Sequence, residues 1–244
     1  MKVTRLLLRL TAITLLAAAT LHAAPPTGDQ ILNSVDRTRN GWDSFVVDVK
    51  INNFKNGRSV DENLYQVSIK GTDRTLVKFM SPDERGKSLL MLDEAMWLYL
   101  PTASRPVRVT PLQRLSGNAS NGDIAQTSLA ANYTARLAGE ANVGGREAWK
   151  LELTAKRNSA TYQGVDLWVA KSDFTPIQAE FRLQSGKPMK RVEYLEYDTV
   201  GTQKLIRRQV MYDLLRNQES TVVEYSRYER RALADKLFNQ NSMR

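Results

Sequence analysis

Hydrophobic and polar positions alternate with a period of two over most of this chain. Phe45, Val47, Val49 and Ile51 fall on one side of an extended segment and Asp48, Lys50 and Asn52 on the other, the pattern of a half-buried strand. Asn56-Gly57 is a hairpin turn signal. Tyr65, Val67 and Ile69 then alternate with Gln66, Ser68 and Lys70, Gly71-Thr72-Asp73 turns the chain, and Leu76 to Met80 returns it. Residues 88–92, 95–100 and 105–109 continue in the same manner, and the second half repeats it from Tyr133 to Tyr228, with a turn at Gly144-Gly145. The pattern predicts about eleven antiparallel strands at the spacing of a single all-β sheet or barrel, with no linker-like stretch to divide it.

Two segments depart from this period. Thr27-Gly28-Asp29-Gln30 ahead of Ile31, Leu32 and Val35 offers an N-cap and apolar residues at helical spacing, predicting a short amphipathic helix that ends near Asn40-Gly41. In mid-chain, residues 111–115 and 124–131, separated by Ser116-Gly-Asn-Ala-Ser-Asn-Gly122, do not alternate, and Leu112, Leu115, Ile124 and Leu129 are spaced so that a helix gathers them on one face. Such a face must be buried, and the sheet is the large apolar surface available to it. A mostly helical or irregular insert across the sheet is therefore expected: a lid over a cavity if the sheet is curved, otherwise a plain cover with no cavity.

The segment Ala95-Met96-Trp97-Leu98-Tyr99-Leu100-Pro101 is apolar on both strand faces, so both of its sides should be covered. Met96, Leu98 and Leu100 form an aliphatic side, and Trp97 and Tyr99 a side suited to a polar boundary.

Composition narrows the chemistry. The 244 residues contain no cysteine and one histidine, His22. That histidine lies in a stretch with the layout of a secretory signal peptide: Lys2, Arg5 and Arg9, an apolar run from Leu10 to Leu21, and Ala23-Ala24-Pro25 after it. Cleavage after Ala23 leaves residues 24–244 as one exported domain without cysteine or histidine. Disulfide scaffolds, Cys or His metal sites, and nucleophiles activated by histidine are then excluded, and no cofactor is expected. Carboxylates occur at Asp83-Glu84, Asp93-Glu94, Glu193 and Glu196, in turn or solvated-face settings that do not pair as a glycosidase requires. The expectation is a protein that is not an enzyme.

The whole chain carries 35 Lys and Arg against 26 Asp and Glu, and removal of the three basic leader residues leaves 32 against 26, a net of +6. In an exported protein such charge favours anionic lipid or acidic partner surfaces over nucleic acid. Arg105 and Arg108, beside the expected lid, are candidates to hold lid carbonyls or an anionic head group.

The run Met96-Trp-Leu-Tyr-Leu-Pro101, followed by Arg105-Pro-Val-Arg108-Val, Gly117 to Asp123, Tyr133-Thr-Ala-Arg-Leu137, Trp149-Lys-Leu-Glu-Leu153 and Leu167-Trp-Val169, resembles the bacterial outer-membrane lipoprotein-sorting proteins of the LolA/LolB superfamily. The resemblance implies a mainly β fold, an unclosed antiparallel half-barrel of about eleven strands with helices covering its concave face. It also implies a periplasmic carrier of lipoprotein acyl chains or other lipid toward the outer membrane, receiving them from an inner-membrane transporter and passing them to an outer-membrane acceptor; nothing in the residues demands more than a monomer. The segment from Ile124 to Tyr133 lacks the acidic character of many relatives, so lid chemistry is expected to differ. The expected cargo cavity is lined by Val47, Val49, Met96, Leu98, Leu100, Leu151, Phe181 and Leu183. The alternative is an envelope sensor or adaptor that binds a protein partner such as an RND-type transporter; a filled interior and a large exposed patch would favour it.

Overall fold

A computed structural model describes residues 25–215 and 219–243; the expected leader, residues 1–23, lies outside them. Helix α1 (Gly28–Arg39) starts where the sequence predicts, at a reciprocal cap in which the Gln30 N–H donates to the Thr27 hydroxyl (3.3 Å) and the Thr27 N–H to Gln30 Oε1 (2.8 Å). Ile31, Leu32 and Val35 are fully buried on its inward face.

Two meanders follow. The first is β1 (Ser44–Lys55), β2 (Arg58–Lys70), β3 (Arg74–Phe79), β4 (Ser88–Leu92), β5 (Ala95–Tyr99) and β6 (Val107–Val109). The second is β9 (Tyr133–Val143), β10 (Arg146–Ala155), β11 (Gly164–Ala170), β12 (Pro176–Arg182), β13 (Pro188–Val200), β14 (Gln203–Asp213) and β15 (Glu219–Arg230). The last strand pairs antiparallel with the first, Ile51 opposite Val223, so both meanders join into one sheet of thirteen strands rather than about eleven. Its edges are β6 and β9, which do not pair with each other. The sheet is unclosed and antiparallel throughout.

This topology dictates where the non-alternating insert goes. Strands β6 and β9 follow one another along the chain among the strands of this sheet but lie at its opposite edges, so the chain between them must cross the open mouth. It does so as a small hairpin, β7 (Arg114–Ser116) and β8 (Ala119–Ser120), then two short helices, α2 (Asn121–Ala125) and α3 (Leu129–Asn132). Ile124, Ala125 and Leu129 pack with the α1 residues and the concave sheet residues in one core.

The same core fixes strand parity. Val47, Val49, Val67, Ile69, Leu151, Leu167, Phe181 and Val192 face inward. Met96 is also inward and buried, and Leu98 packs against that core, whereas Trp97 and Tyr99 lie on the convex side. There a second cluster of Leu76, Leu90, Phe238 and Met243 is formed by the C-terminal tail, which runs through two 3₁₀ turns, 235–237 and 240–243, over β3 to β5. The two-sided apolar segment is thus explained by a lid within and a tail outside.

Candidate functional site

The candidate site is the concave face with its lid. Its middle is fastened to α1 by polar contacts. Arg39 Nε and Asn40 Nδ2 both donate to the Thr127 carbonyl, at 2.9 and 3.1 Å. The Asp36 carboxylate accepts from the Ser128 hydroxyl (2.7 Å) and from the N–H groups of Leu129 (2.8 Å) and Ala130 (2.9 Å). Asp36 thereby caps α3 from another helix. Burial raises its pKa, outweighing the hydrogen bonds and the Arg39 charge that act the other way. Burial alone would lower the pKa of Arg39, but Tyr194, Tyr225, Asp36 and Asp123 around it reverse that, so it stays charged.

Helix α2 is held more deeply. Asp123 accepts from the Ser120 N–H (2.8 Å) and hydroxyl (2.9 Å), which caps its own helix, and from the Tyr162 hydroxyl at 3.0 and 3.1 Å. The Lys190 ammonium of β13 lies 2.5 Å from both Asp123 Oδ2 and the Tyr162 oxygen. Lys190 is only 5% exposed. The Tyr162 hydroxyl is pushed well above its usual pKa by burial and by the Asp123 charge, and its backbone carbonyl accepts from the Tyr133 hydroxyl at 3.1 Å.

The hairpin end of the lid is pinned as well. The Ser116 hydroxyl accepts from Asn53 Nδ2 (2.8 Å), and the Thr221 hydroxyl accepts from the Asn118 N–H (2.9 Å). Gly117 between them has φ +52°, and a Cβ there would fall 1.7 Å from Asn53 Oδ1. Only glycine allows this approach.

Beneath the lid the interior is nearly full. One cavity of about 30 Å³ lies among Phe45, Val47, Val67 and Ile124, and another of about 30 Å³ among Leu129, Phe181, Tyr194 and Met211. Arg39 and Asp123 line both. Ligand pockets measure roughly 300–1,000 Å³, so an acyl chain cannot enter until the lid side chains leave. A bulge helps fill the space: Arg227, at φ +52°, adds a residue opposite Val47, which turns both Tyr225 and Tyr228 inward, their rings stacked 6.5 Å apart.

Of the residues the sequence nominates, Val47, Val49, Met96, Leu98, Leu151 and Phe181 line or pack against this interior. Leu100 and Leu183 do not; each lies just past its strand, half-buried in a turn. Ile124 and Leu129 are buried lid residues and Leu115 packs against the core, but Leu112 is 44% exposed because the chain at 111–113 is already turning into the hairpin. The arginines need correction. Arg105 is exposed in the β5–β6 connection. Arg108 projects to the convex side, its guanidinium 5.6 Å from the Trp97 ring. The arginine at the lid is Arg39, and Asp36, Asp123, Tyr162 and Lys190 complete a polar set that the sequence reading missed. A signal existed: Arg39 follows Leu32 and Val35 by seven and four positions, on the apolar stripe of α1, and Lys190 is in phase with Val192 and Tyr194.

Comparison with known proteins agrees with this architecture. A family profile described as "-like: Uncharacterized protein" matches residues 71–244. A LolA superfamily protein from Nitrosomonas europaea superposes with a TM-score of 0.84 at 34% identity, over 89% of this chain and all of its own. The chain belongs to the LolA superfamily. Two more distant structures share the fold: a DUF1329 family protein from Desulfovibrio piger (TM-score 0.77, 20% identity, 89% of this chain and 98% of its own) and an outer membrane lipoprotein-sorting protein domain from Vibrio parahaemolyticus (0.75, 18%, 88% and 97%). No curated protein matches by sequence. In this LolA superfamily member, no helix among the described residues is long and apolar enough to cross a membrane.

Proposed function

We propose that the chain is exported as a single domain after cleavage at Ala23, and that in the periplasm it carries acyl-chain cargo, lipoprotein or another lipid, without catalysis or cofactor. The observation that carries this reading is the manner of closure. A concavity walled largely by apolar strand residues, with Arg39 and Asp123 at its lid side, is covered by a segment whose middle is fastened to α1 through five hydrogen bonds. Hydrogen bonds of this kind contribute about 0.5–1.5 kcal/mol each, and about 1.5–3 where a charge takes part, because the freed groups are hydrated when the lid opens. Cargo that covers the exposed apolar surface at about 25 cal/mol per Å² offsets such a sum readily. The closed form keeps the apolar wall from water when no cargo is present. An inner-membrane transporter as donor and an outer-membrane acceptor complete the route toward the outer membrane.

Native mass spectrometry of the processed chain, recovered from a bacterial periplasm without detergent, tests the proposal. Bound acyl-containing material that is lost in Leu98→Glu, in a protein that still folds, supports it. A clean mass with no uptake of added lipid or lipopeptide sinks it.

A second reading, an adaptor that binds a protein partner, is favoured by the filled interior and by a cleft of about 680 Å³ on the convex face. Exposed Leu64 and Met80 lie there beside Lys50 and Arg207.

A further inference from the structure

The Asp123–Tyr162–Lys190 cluster is more than a fastening, and its position suggests what the cargo carries. It stands between the interior and a pocket of about 150 Å³ lined by Arg114, Asn118, Met189 and Lys190, with Tyr162 at its inner wall. Lys190 belongs to the rigid sheet, on the inward face of β13 with Val192 and Tyr194. Its carboxylate partner belongs to α2 of the lid.

The interior cannot receive a chain until the lid leaves, and Asp123 must leave with it. Lys190 then faces the opened cavity without its counterion. Asp213, opposite Lys190 across β13 and β14, lines the same small pocket, but its Oδ1 accepts from the Leu215 N–H at 2.7 Å and the ion pair of Lys190 is with Asp123. Asp36 stays on α1 near Arg39. A cation in an apolar wall is costly unless paired, so opening is favoured by whatever brings a replacement anion.

We infer that Asp123 is a placeholder for the anionic head group of the cargo: Lys190, with the Tyr162 hydroxyl and Arg114 nearby, binds the phosphate or carboxylate of a single-chain amphiphile whose tail occupies the concavity. This deepens the carrier reading and rests on it. The buried ion pair is then a selector. A neutral lipid that opens the lid strands Lys190, and an anionic one re-pairs it.

The test compares two probes of equal chain length, dodecyl phosphate and glycerol monolaurate, titrated below their micelle concentrations into the processed chain. Dodecyl phosphate is expected to bind roughly tenfold tighter, the scale of one charge-assisted hydrogen bond. Lys190→Gln should bring the ratio of the two affinities to about one, and Lys190→Arg should keep it. Asp123→Asn, which weakens the closed state that both probes must open, should tighten both probes and leave their ratio unchanged. A purely structural ion pair would leave the ratio the same in all variants. Equal affinities in the wild type, or a ratio that survives in Lys190→Gln, overturn the inference and leave the carrier reading standing. If neither probe binds the wild type, the carrier reading fails and takes this inference with it. Should Lys190→Gln not fold, Asp123→Asn decides: if neither probe binds it more tightly than the wild type, the pair does not guard the site and the head-group inference is overturned.

Discussion

Arg39 does at one position what two other arginines were expected to do. It lies on the buried stripe of α1, its Nε donates to the Thr127 carbonyl, and two tyrosines and two carboxylates surround it. Arg39→Ala should therefore loosen the lid without unfolding the sheet. Removing a charged donor worth about 1.5–3 kcal/mol should speed amide exchange at residues 127–130 by roughly ten- to a hundredfold, with strands β1, β2 and β15 unchanged. Arg105→Ala and Arg108→Ala should leave that exchange unaltered, since one is exposed in a connection and the other lies over Trp97. Unchanged exchange in Arg39→Ala would mean that Asn40 and Asp36 hold the middle of the lid without it. The apolar positions were readable because alternation is a local signal. The polar set was not, because Asp36, Arg39, Asp123, Tyr162 and Lys190 lie far apart in the chain and converge only when the insert folds back. The phase of Arg39 and of Lys190 with apolar neighbours was the trace they left.

Among elements, the C-terminal tail shows most clearly what periodicity leaves out. Its 3₁₀ turns at 235–237 and 240–243 are too short to show a period, yet Phe238 and Met243 cover the convex side of β3 and β4 and are almost fully buried. The apolar run at Met96 to Leu100 required a cover on both faces but could not say which segment provides it. Likewise the alternating stretches located the strands while undercounting the sheet. Phe238→Ala should destabilise the protein, at or below the low end of the roughly 3–5 kcal/mol seen for buried Phe→Ala changes, because one side of this cluster borders water. The tail should also respond to pH. Lys70 foremost, and then Arg74, hold Asp235 below the usual carboxylate range. A lowered folded-state pKa gives a contribution that is complete above the unfolded value, near 3.9, and is lost as pH falls through the folded value. Protease sensitivity of residues 231–243 should therefore rise only at strongly acid pH, and Asp235→Asn should show part of that sensitivity at neutral pH. A tail equally protected in both conditions would mean that the apolar cluster alone holds it.

At the scale of the whole molecule, the proposed carrier role turns on one topological fact: β6 and β9, successive along the chain within the thirteen-stranded sheet, sit at its opposite edges, so the connection between them spans the mouth. The lid cannot drift away, since both its ends are sheet strands, and it cannot admit cargo without moving its middle. Covalently fixing that middle should separate binding from folding. Gly122 of α2 and Thr161 offer the place: a Cβ built on Gly122 lies 2.9 Å from the Thr161 Cβ, closer than the roughly 3.5–4.5 Å of disulfides, so α2 must shift outward by about 1 Å for the bridge to form. The chain has no cysteine of its own, so a Gly122→Cys, Thr161→Cys pair can form one bridge only. Closing the short loop between them, about 40 residues, should stabilise the fold by about 3–4 kcal/mol less the strain of the close Cβ approach. The oxidised protein should neither take up acyl-chain probes nor release cargo already held, and reduction should restore both. If the oxidised, folded protein still takes up the probes, the acyl chain binds outside the lidded concavity. The concavity would then serve as a core, and binding would belong to the convex cleft beside Lys50 and Arg207.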